Sequence, residues 1–151
     1  TRLLEMGLDS FTFGSSLLGV LAQRLVRRIC DKCSESYAPS AEEFEELKNQ
    51  FGDKARFDAL KIDRKKVTLA RGKGCESCFN TGYRGRVGIH EFLVVSPAVR
   101  KVIQQKGQAD AIGKLGREGG MLTLKQDGIR KILKGKTDLK EVLSITLEEN
   151  L

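Results

Sequence analysis

The chain contains few of the residues that several common functions require. It has no tryptophan, two prolines and a single histidine, and aromatic residues make up only 6% of its 151 residues. So few aromatic rings offer little for stacking on bases, which disfavours dedicated nucleic-acid binding. The longest apolar runs, such as residues 17–22, are much shorter than the about 20 residues that cross a bilayer. We therefore expect neither a nucleic-acid partner nor a transmembrane segment.

Signals for common active sites and for export are absent as well. The sequence contains no phosphate-binding loop, no H-E-x-x-H motif and no G-x-S-x-G motif. His90 lies in a strand-like stretch without a nearby nucleophile, so we expect a structural histidine. No basic segment leads into an apolar one at the start, which argues against a secretory signal. Because the chain opens at Thr1 rather than at methionine, we interpret it as part of a longer protein.

The composition that is present is globular and basic. Hydrophobic residues make up 40% and charged residues 31% of the chain, which suits one ordinary core or two small units. The net charge of +7 is concentrated in residues 71–106, which contain seven basic and two acidic residues. The favoured interpretation is a solvated face or a site for a charged partner, followed by a phosphate-facing patch. The basic residues of this segment are Arg71, Lys73, Arg84, Arg86, Arg100, Lys101 and Lys106.

All four cysteines lie in two C-x-x-C pairs, which is the strongest motif of the chain. The pairs are Cys30 with Cys33 and Cys75 with Cys78. Two residues between cysteines allow one tight turn to present two thiolates to a single ion, and two such turns complete a Cys₄ zinc site. Such a closed site has no free coordination position, so its role would be structural. The alternatives are redox-active disulfides and free thiols, although the βαβ setting of a thioredoxin-type motif is missing.

The residues around the cysteines also fit a metal site. Gly72, Gly74 and Gly82 suit the sharp backbone turns that wrap an ion. The 41 residues between Cys33 and Cys75 exceed the spacing of a simple zinc ribbon. A helix inserted over residues 40–51 would account for this excess.

Local signals predict several helices and few strands. Residues 1–29 are predicted to be mostly helical, with Ser15-Ser16 capping a helix through Val26. Its apolar face would comprise Leu17, Leu18, Leu21, Leu25 and Val26.

A second helix should begin after Ser40, with Glu43 completing a capping box, and should end at Gly52. Residues 67–70 are predicted to form a short strand that leads into the second cysteine pair.

The second half of the chain is predicted to change from turns and a strand to helices. Residues 79–86 are turn-rich, and residues 87–95 have strand composition. Ser96 and Pro97 should start a helix, as N-cap and first helical residue. Three more helices are predicted over residues 109–117, 123–133 and from Thr137 onward. The predicted class is therefore α+β and mainly helical.

Taken in order, these segments resemble the C-terminal part of the traffic ATPases of type II secretion and type IV pilus assembly. The resemblance covers essentially the whole chain, and the run Thr81-Gly82-Tyr83-x-Gly85-Arg86-x-Gly88-Ile89-x-Glu91 is its most specific part. The other matching segments are Thr1–Gly7, which would follow a histidine box, Leu17–Arg27 before the first cysteine pair, Gly74–Cys78, Asp127-Gly128 and Thr137–Leu143.

The resemblance implies a domain order and a biological setting. It places the end of a RecA-like ATPase core in residues 1–29, a Cys₄ zinc module in 30–86 and a C-terminal helical subdomain in 87–151. The parent would be a cytoplasmic homohexamer at the bacterial inner membrane that uses ATP and Mg²⁺ to move an inner-membrane platform protein. The nucleotide-binding motifs would lie upstream of Thr1, so this chain alone should not hydrolyse ATP.

The same resemblance implies a role for two residues. Gln23 and Arg24 would lie near the nucleotide-binding cleft of the parent, with an exposed helix face as the alternative interpretation.

The segment Cys75–Gly82 also resembles the zinc modules of heat-shock chaperones and of some DNA-repair ATPases. Those modules repeat the motif at shorter intervals and contain more glycine. A free-standing nucleic-acid zinc ribbon is a further alternative.

Overall fold

A computed structural model describes residues 5–146 and shows an α+β protein. Strand β1 pairs with β4, and β2 pairs antiparallel with β3, with Ser34 opposite Gly72 and Tyr37 opposite Leu69. No helix in the described residues is long and apolar enough to cross a membrane. The elements are α1 (Ser10–Ser16), β1 (Gly19–Ile29), β2 (Ser34–Tyr37), α2 (Ala41–Phe51), α3 (Lys54–Ala59), β3 (Leu69–Gly72), β4 (Tyr83–Val94), α4 (Pro97–Gln104), α5 (Ala109–Glu118), α6 (Leu124–Leu133) and α7 (Leu139–Thr146).

The described chain divides into two compact units, each built from two segments. The first unit contains the described residues up to Ala22 together with Glu91–Thr123, and the second contains Gln23–His90 with the residues from Leu124 onward. The four helices predicted after Ser96 all form, with α4 and α5 in the first unit and α6 and α7 in the second. The three consecutive domains expected from the sequence stay a prediction.

The first unit packs its helices around a small apolar cluster. Ser96 caps α4 through a hydrogen bond from the Val99 amide, and Pro97 occupies the first helical position, as predicted. The Arg100 guanidinium donates to the Gly14 carbonyl at 3.0 Å and so satisfies an acceptor in the last turns of α1. The apolar cluster consists of Val95, Val99 and Ile103 at its centre, surrounded by Phe13, Leu17, Leu93, Ile112 and Leu115.

In the second unit, the inserted helix α2 forms where the sequence predicts it. The Ser40 hydroxyl accepts from the Glu43 amide at 3.1 Å, and the Glu43 carboxylate accepts from the Ser40 amide at 3.2 Å. The helix ends at Gly52, which adopts a left-handed φ of 78°. Phe57 of α3 meets the rings of Phe44 and Phe51 edge-to-face, with centroids 5.7 and 5.5 Å apart. The insert thus has an aromatic core of its own.

The helix predicted over residues 17–26 is wrong, because this segment forms strand β1. Ser16 ends a helix instead of capping one, and the N-cap residue of α1 is Asp9. The supposed buried face is largely exposed: Leu18 is 80% and Leu21 58% exposed, whereas Val26 is 1% exposed. The apolar spacing of the segment fits a helix, but pairing with β4, about 70 residues away, decides its conformation.

Candidate metal centre

Strand pairing brings the two C-x-x-C turns together. Cys30 follows β1 directly, and Cys33 immediately precedes β2. Cys75 and Cys78 lie on a 3₁₀ turn, Glu76–Cys78, between β3 and β4. Because β1 pairs with β4 and β2 with β3, the ends of both pairs place the two turns side by side. All four cysteines are free thiols.

The four sulfur atoms have the spacing of a tetrahedral metal site. The Sγ atoms of Cys30 and Cys75 are 3.9 Å apart, those of Cys33 and Cys78 3.8 Å, and those of Cys75 and Cys78 3.7 Å. All four lie within 4.8 Å of one another. Thiolates at about 2.3 Å from Zn²⁺ in a tetrahedron are separated by about 3.8 Å. The cluster can therefore hold a metal ion with little rearrangement, whereas disulfide bonding would need contacts of about 2.0 Å.

The thiol of Cys78 is held by backbone donors. Cys30 and Cys78 are buried, with 0% and 3% exposure, and the other two cysteines are half-buried. Burial disfavours the Cys78 thiolate, but N–H donors of Cys75 and Gly82, at 3.2 and 3.3 Å, outweigh it and bring its pKa to about 6. These donors favour the ionised form that binds metals.

Cys33 differs from Cys78 because its surroundings favour the protonated thiol. Burial raises the pKa of Cys33 to about 12, with a further increase from the neighbouring cysteine sulfurs. Four adjacent sulfurs cannot all ionise cheaply without a compensating cation. A divalent metal ion supplies that charge, and a four-thiolate set leaves it no open position for a reaction. The arrangement is suited to a structural metal rather than to catalysis.

Two glycines allow the second cysteine turn to approach β3. A Cβ on Gly72 would lie 2.1 Å from the Gly82 carbonyl oxygen, and a Cβ on Gly82 would lie 2.7 Å from that of Gly72. Gly82 also has a φ of 78° and Gly74 a φ of 95°, both in the left-handed region. All three glycines singled out in the sequence therefore meet a backbone requirement at the cluster.

Comparison with known proteins identifies the family. The model of the family described as "Type II/IV secretion system protein" matches residues 1–144. The chain belongs to this family. It is 40% identical over 148 residues to the type IV pilus assembly ATPase PilB of Thermus thermophilus. It is 43% identical over 149 residues to the type II secretion system protein E of Aeromonas hydrophila and 39% identical over 150 residues to that of Pseudomonas aeruginosa.

These alignments include nearly all of the chain but a minor part of each relative. They cover 98% of the chain and 16% of the pilus protein, and 99% of the chain and 27% of each of these two secretion proteins. The match confirms the resemblance to secretion and pilus ATPases that the sequence motifs indicate.

A polar network beside the cysteines has no counterpart in the sequence prediction. Arg27 of β1 donates to the Glu141 carboxylate from its backbone amide, from Nε at 3.0 Å and from Nη2 at 2.6 Å. Its guanidinium lies over the Tyr83 ring, 4.3 Å from the centroid. The Tyr83 hydroxyl donates to the Asp138 carboxylate. Tyr83 and Glu141 belong to the family motifs, which was the only available signal, but the motifs did not show that these residues meet.

Gln23 and Arg24 lie on β1 rather than on the predicted helix. Both side chains are exposed, and Arg24 donates to the Gln23 carbonyl at 3.0 Å. Their proximity to nucleotide stays a prediction. His90 is half-exposed, and its backbone amide donates to the Asp127 carboxylate at 2.9 Å. The role of its side chain stays a prediction.

The basic residues of the 71–106 segment do not share one environment. Arg71 and Lys73 both pair with Glu35, at 3.7 and 2.5 Å. Arg100 belongs to the first unit, unlike Arg71 and Lys73, and donates to backbone carbonyls of α1 in that same unit. The concentration of charge along the sequence therefore indicates local pairing and helix capping at these three positions, not a single phosphate site.

Proposed function

We propose that this chain is the zinc-containing C-terminal region of a hexameric ATPase that powers type II secretion or type IV pilus assembly. The support is the match along nearly the whole chain to proteins named for these two systems. The observation that carries the zinc assignment is the near-tetrahedral set of four cysteine sulfurs. Because relatives from both systems match similarly well, the proposal includes both.

The proposed ion is one structural Zn²⁺ per chain, bound by Cys30, Cys33, Cys75 and Cys78. Tetrahedral sites of four sulfurs favour Zn²⁺ or iron, and zinc suits a site with no redox task. Elemental analysis of the reduced, chelator-free protein should give about one zinc per chain. A content near zero would overturn metal binding, and stoichiometric iron would overturn the choice of metal.

The oligomeric state, location, nucleotide and partner of the full-length protein are proposed from its family. The full protein would be a cytoplasmic homohexamer at the inner membrane, binding ATP with Mg²⁺ and acting on an inner-membrane platform protein. The segment before the first cysteine pair would complete its RecA-like core, with Gln23 and Arg24 near the nucleotide. Because the chain contains no phosphate-binding loop, we expect no ATP hydrolysis from it alone.

The role of the metal is tested in the full-length protein. We expect Cys33→Ser to lower the rate of ATP hydrolysis or of pilin or pseudopilin export, because zinc would hold the cysteine module rigid while the hexamer changes conformation. Equal amounts of soluble, hexameric variant and wild type are compared, which removes differences in folding yield. If the hexameric variant hydrolyses ATP and supports export at the wild-type rate, the mechanical role is wrong and only a structural role is left.

A further inference from the structure

Gly82 is tied to both cysteine pairs at once. Its amide donates to Cys78 Sγ at 3.3 Å, and its carbonyl accepts from the Cys30 amide at 2.9 Å. Metal ligands depend on such partners for their orientation. The backbone that enters β4 at Tyr83 is therefore fixed by the same contacts that fix the sulfurs.

The Tyr83 side chain connects this backbone to residues outside the cysteine cluster. Its ring lies under the Arg27 guanidinium, and its hydroxyl donates to Oδ2 of Asp138. Burial, followed by this hydrogen bond, raises the pKa of Tyr83 well above its ordinary value, so the hydroxyl stays a donor. A hydrogen bond to a carboxylate is among the stronger side-chain interactions.

Asp138 in turn fixes the start of α7. Its Oδ1 atom accepts from the Glu141 amide at 3.0 Å, in the manner of a helix N-cap. The Glu141 carboxylate accepts hydrogen bonds from the Arg27 guanidinium, which lies over the Tyr83 ring. Four side chains thus connect β4, α7 and β1 in a closed circuit that begins one residue after Gly82.

We propose that Tyr83 is a positioning residue that couples metal occupancy of the cysteine cluster to the stability of α7. The inference rests on the metal binding proposed above. A metal ion would fix Cys78, whose sulfur accepts from the Gly82 amide. Fixing Gly82 would position Tyr83 to donate to Asp138, and this hydrogen bond would stabilise the first turn of α7. Because such coupling is reciprocal, the same contact should strengthen metal binding.

The test variant is Tyr83→Phe, which keeps the ring under Arg27 and removes only the hydroxyl. The chain has two tyrosines, and Tyr37→Phe is the matched control. The Tyr37 hydroxyl also donates to a carboxylate, that of Glu43 at 3.0 Å, but it leads to α2 rather than to α7. Both variants therefore lose one hydrogen bond of the same type.

Metal affinity is measured first, by titrating each full chain with Co²⁺ and then displacing it with Zn²⁺. A hydrogen bond to a charged group contributes up to about a hundredfold in an equilibrium constant, of which only a part is transmitted. We expect the metal Kd of Tyr83→Phe to rise about three- to tenfold and that of Tyr37→Phe to change less than twofold.

Amide hydrogen exchange in α7 is measured next, for each protein with and without metal. In the wild type, chelation should accelerate exchange at the start of α7. In Tyr83→Phe, exchange there should already be fast with metal bound and should change little on chelation. A purely structural role would accelerate exchange equally in both states, so the missing response to metal is the distinguishing result.

The outcomes separate the two proposals. If the wild type binds no metal, the proposed metal site fails and the coupling fails with it. If the wild type binds metal but Tyr83→Phe matches Tyr37→Phe in Kd and in chelator response, the coupling is wrong while the metal site stands. Should Tyr83→Phe not fold, Asp138→Asn keeps an acceptor and a capping oxygen. It should then show a smaller change in the same direction, and an unchanged Kd would overturn the coupling.

Discussion

Two glycines with nearly the same φ allow the effect of the close approach beside the cysteines to be measured by itself. Gly82 has a φ of 78° and Gly85 a φ of 77°. A Cβ on Gly85 would meet nothing within 4 Å, whereas one on Gly82 would lie 2.7 Å from the carbonyl oxygen of Gly72. Substituting each by alanine therefore imposes a similar strain at φ, but only Gly82→Ala adds a clash with backbone.

The magnitudes follow from these two terms. A left-handed conformation costs an alanine about 1–2 kcal/mol, which should be the whole effect of Gly85→Ala on the free energy of unfolding. The clash at Gly82 cannot be relieved by rotating a side chain, and overpacking of this kind costs about 1–3 kcal/mol more. We therefore expect Gly82→Ala to lose about 2–5 kcal/mol.

Metal affinity should separate the two variants as well. Gly82 contacts Cys78 Sγ and the Cys30 amide, and a displaced backbone would weaken both contacts. We expect weaker metal binding in Gly82→Ala and unchanged binding in Gly85→Ala.

Urea unfolding of the metal-loaded proteins gives the difference in stability, provided that the m-values agree. Equal losses for the two variants, or equal metal affinities, would refute the argument that the close approach matters. A third variant, Gly72→Ala, obstructs the same approach from the other side, with its Cβ 2.1 Å from the Gly82 oxygen. Combining it with Gly82→Ala should therefore cost less than the sum of the single losses.

Two further predictions concern the second unit. Hydrogen bonds from Arg27 lower the pKa of Glu141 below its ordinary value. This pair therefore stabilises the fold fully above the ordinary pKa, and the contribution is lost as the pH falls through the lower folded-state pKa. Glu141→Gln should lower the free energy of unfolding in urea at pH 7 by about 1–2 kcal/mol, a value discounted for solvent screening because Arg27 is half-exposed. The difference in stability from the wild type should shrink in acid, and a difference that does not depend on pH would contradict this. Cys75→Ser should speed amide exchange around the cysteines and leave α4 and α5, which belong to the other unit, protected; uniform loss of protection would show that the units do not unfold separately.

The elements that the sequence predicted correctly are those determined by short-range signals. Helix α2 has its capping box at Ser40 and its left-handed stop at Gly52, all within a few residues of the helix. Ser96 and Pro97 similarly determine the start of α4. Strand β1 has no such signal, since its apolar residues suit either period and its partner strand lies far along the chain. Non-local pairing of this kind is what a local pattern cannot show.

The same distinction applies to the metal centre. The C-x-x-C spacing was sufficient to predict that the four cysteines form one cluster, because two sulfurs on one turn are a local property. The meeting of Arg27 with Glu141 joins residues 114 positions apart and could not be found from spacing. Nor could the approach of Gly72 to Gly82, although both glycines were expected at turns. The residues that orient the cysteines are therefore less predictable than the cysteine cluster itself.

A metal at this position would supply what the surrounding structure lacks. Strands β2 and β3 have four residues each, and only Leu69 and Ala70 among them are buried. An isolated two-stranded pair is marginal in water, so these strands have little to hold the cysteine turns in place. Structural zinc contributes about 10–16 kcal/mol of apparent binding energy in small modules, far more than two buried side chains do. The α2–α3 insert, by contrast, packs three phenylalanine rings of its own. Loss of metal should therefore release the two cysteine turns from each other and leave that aromatic cluster intact.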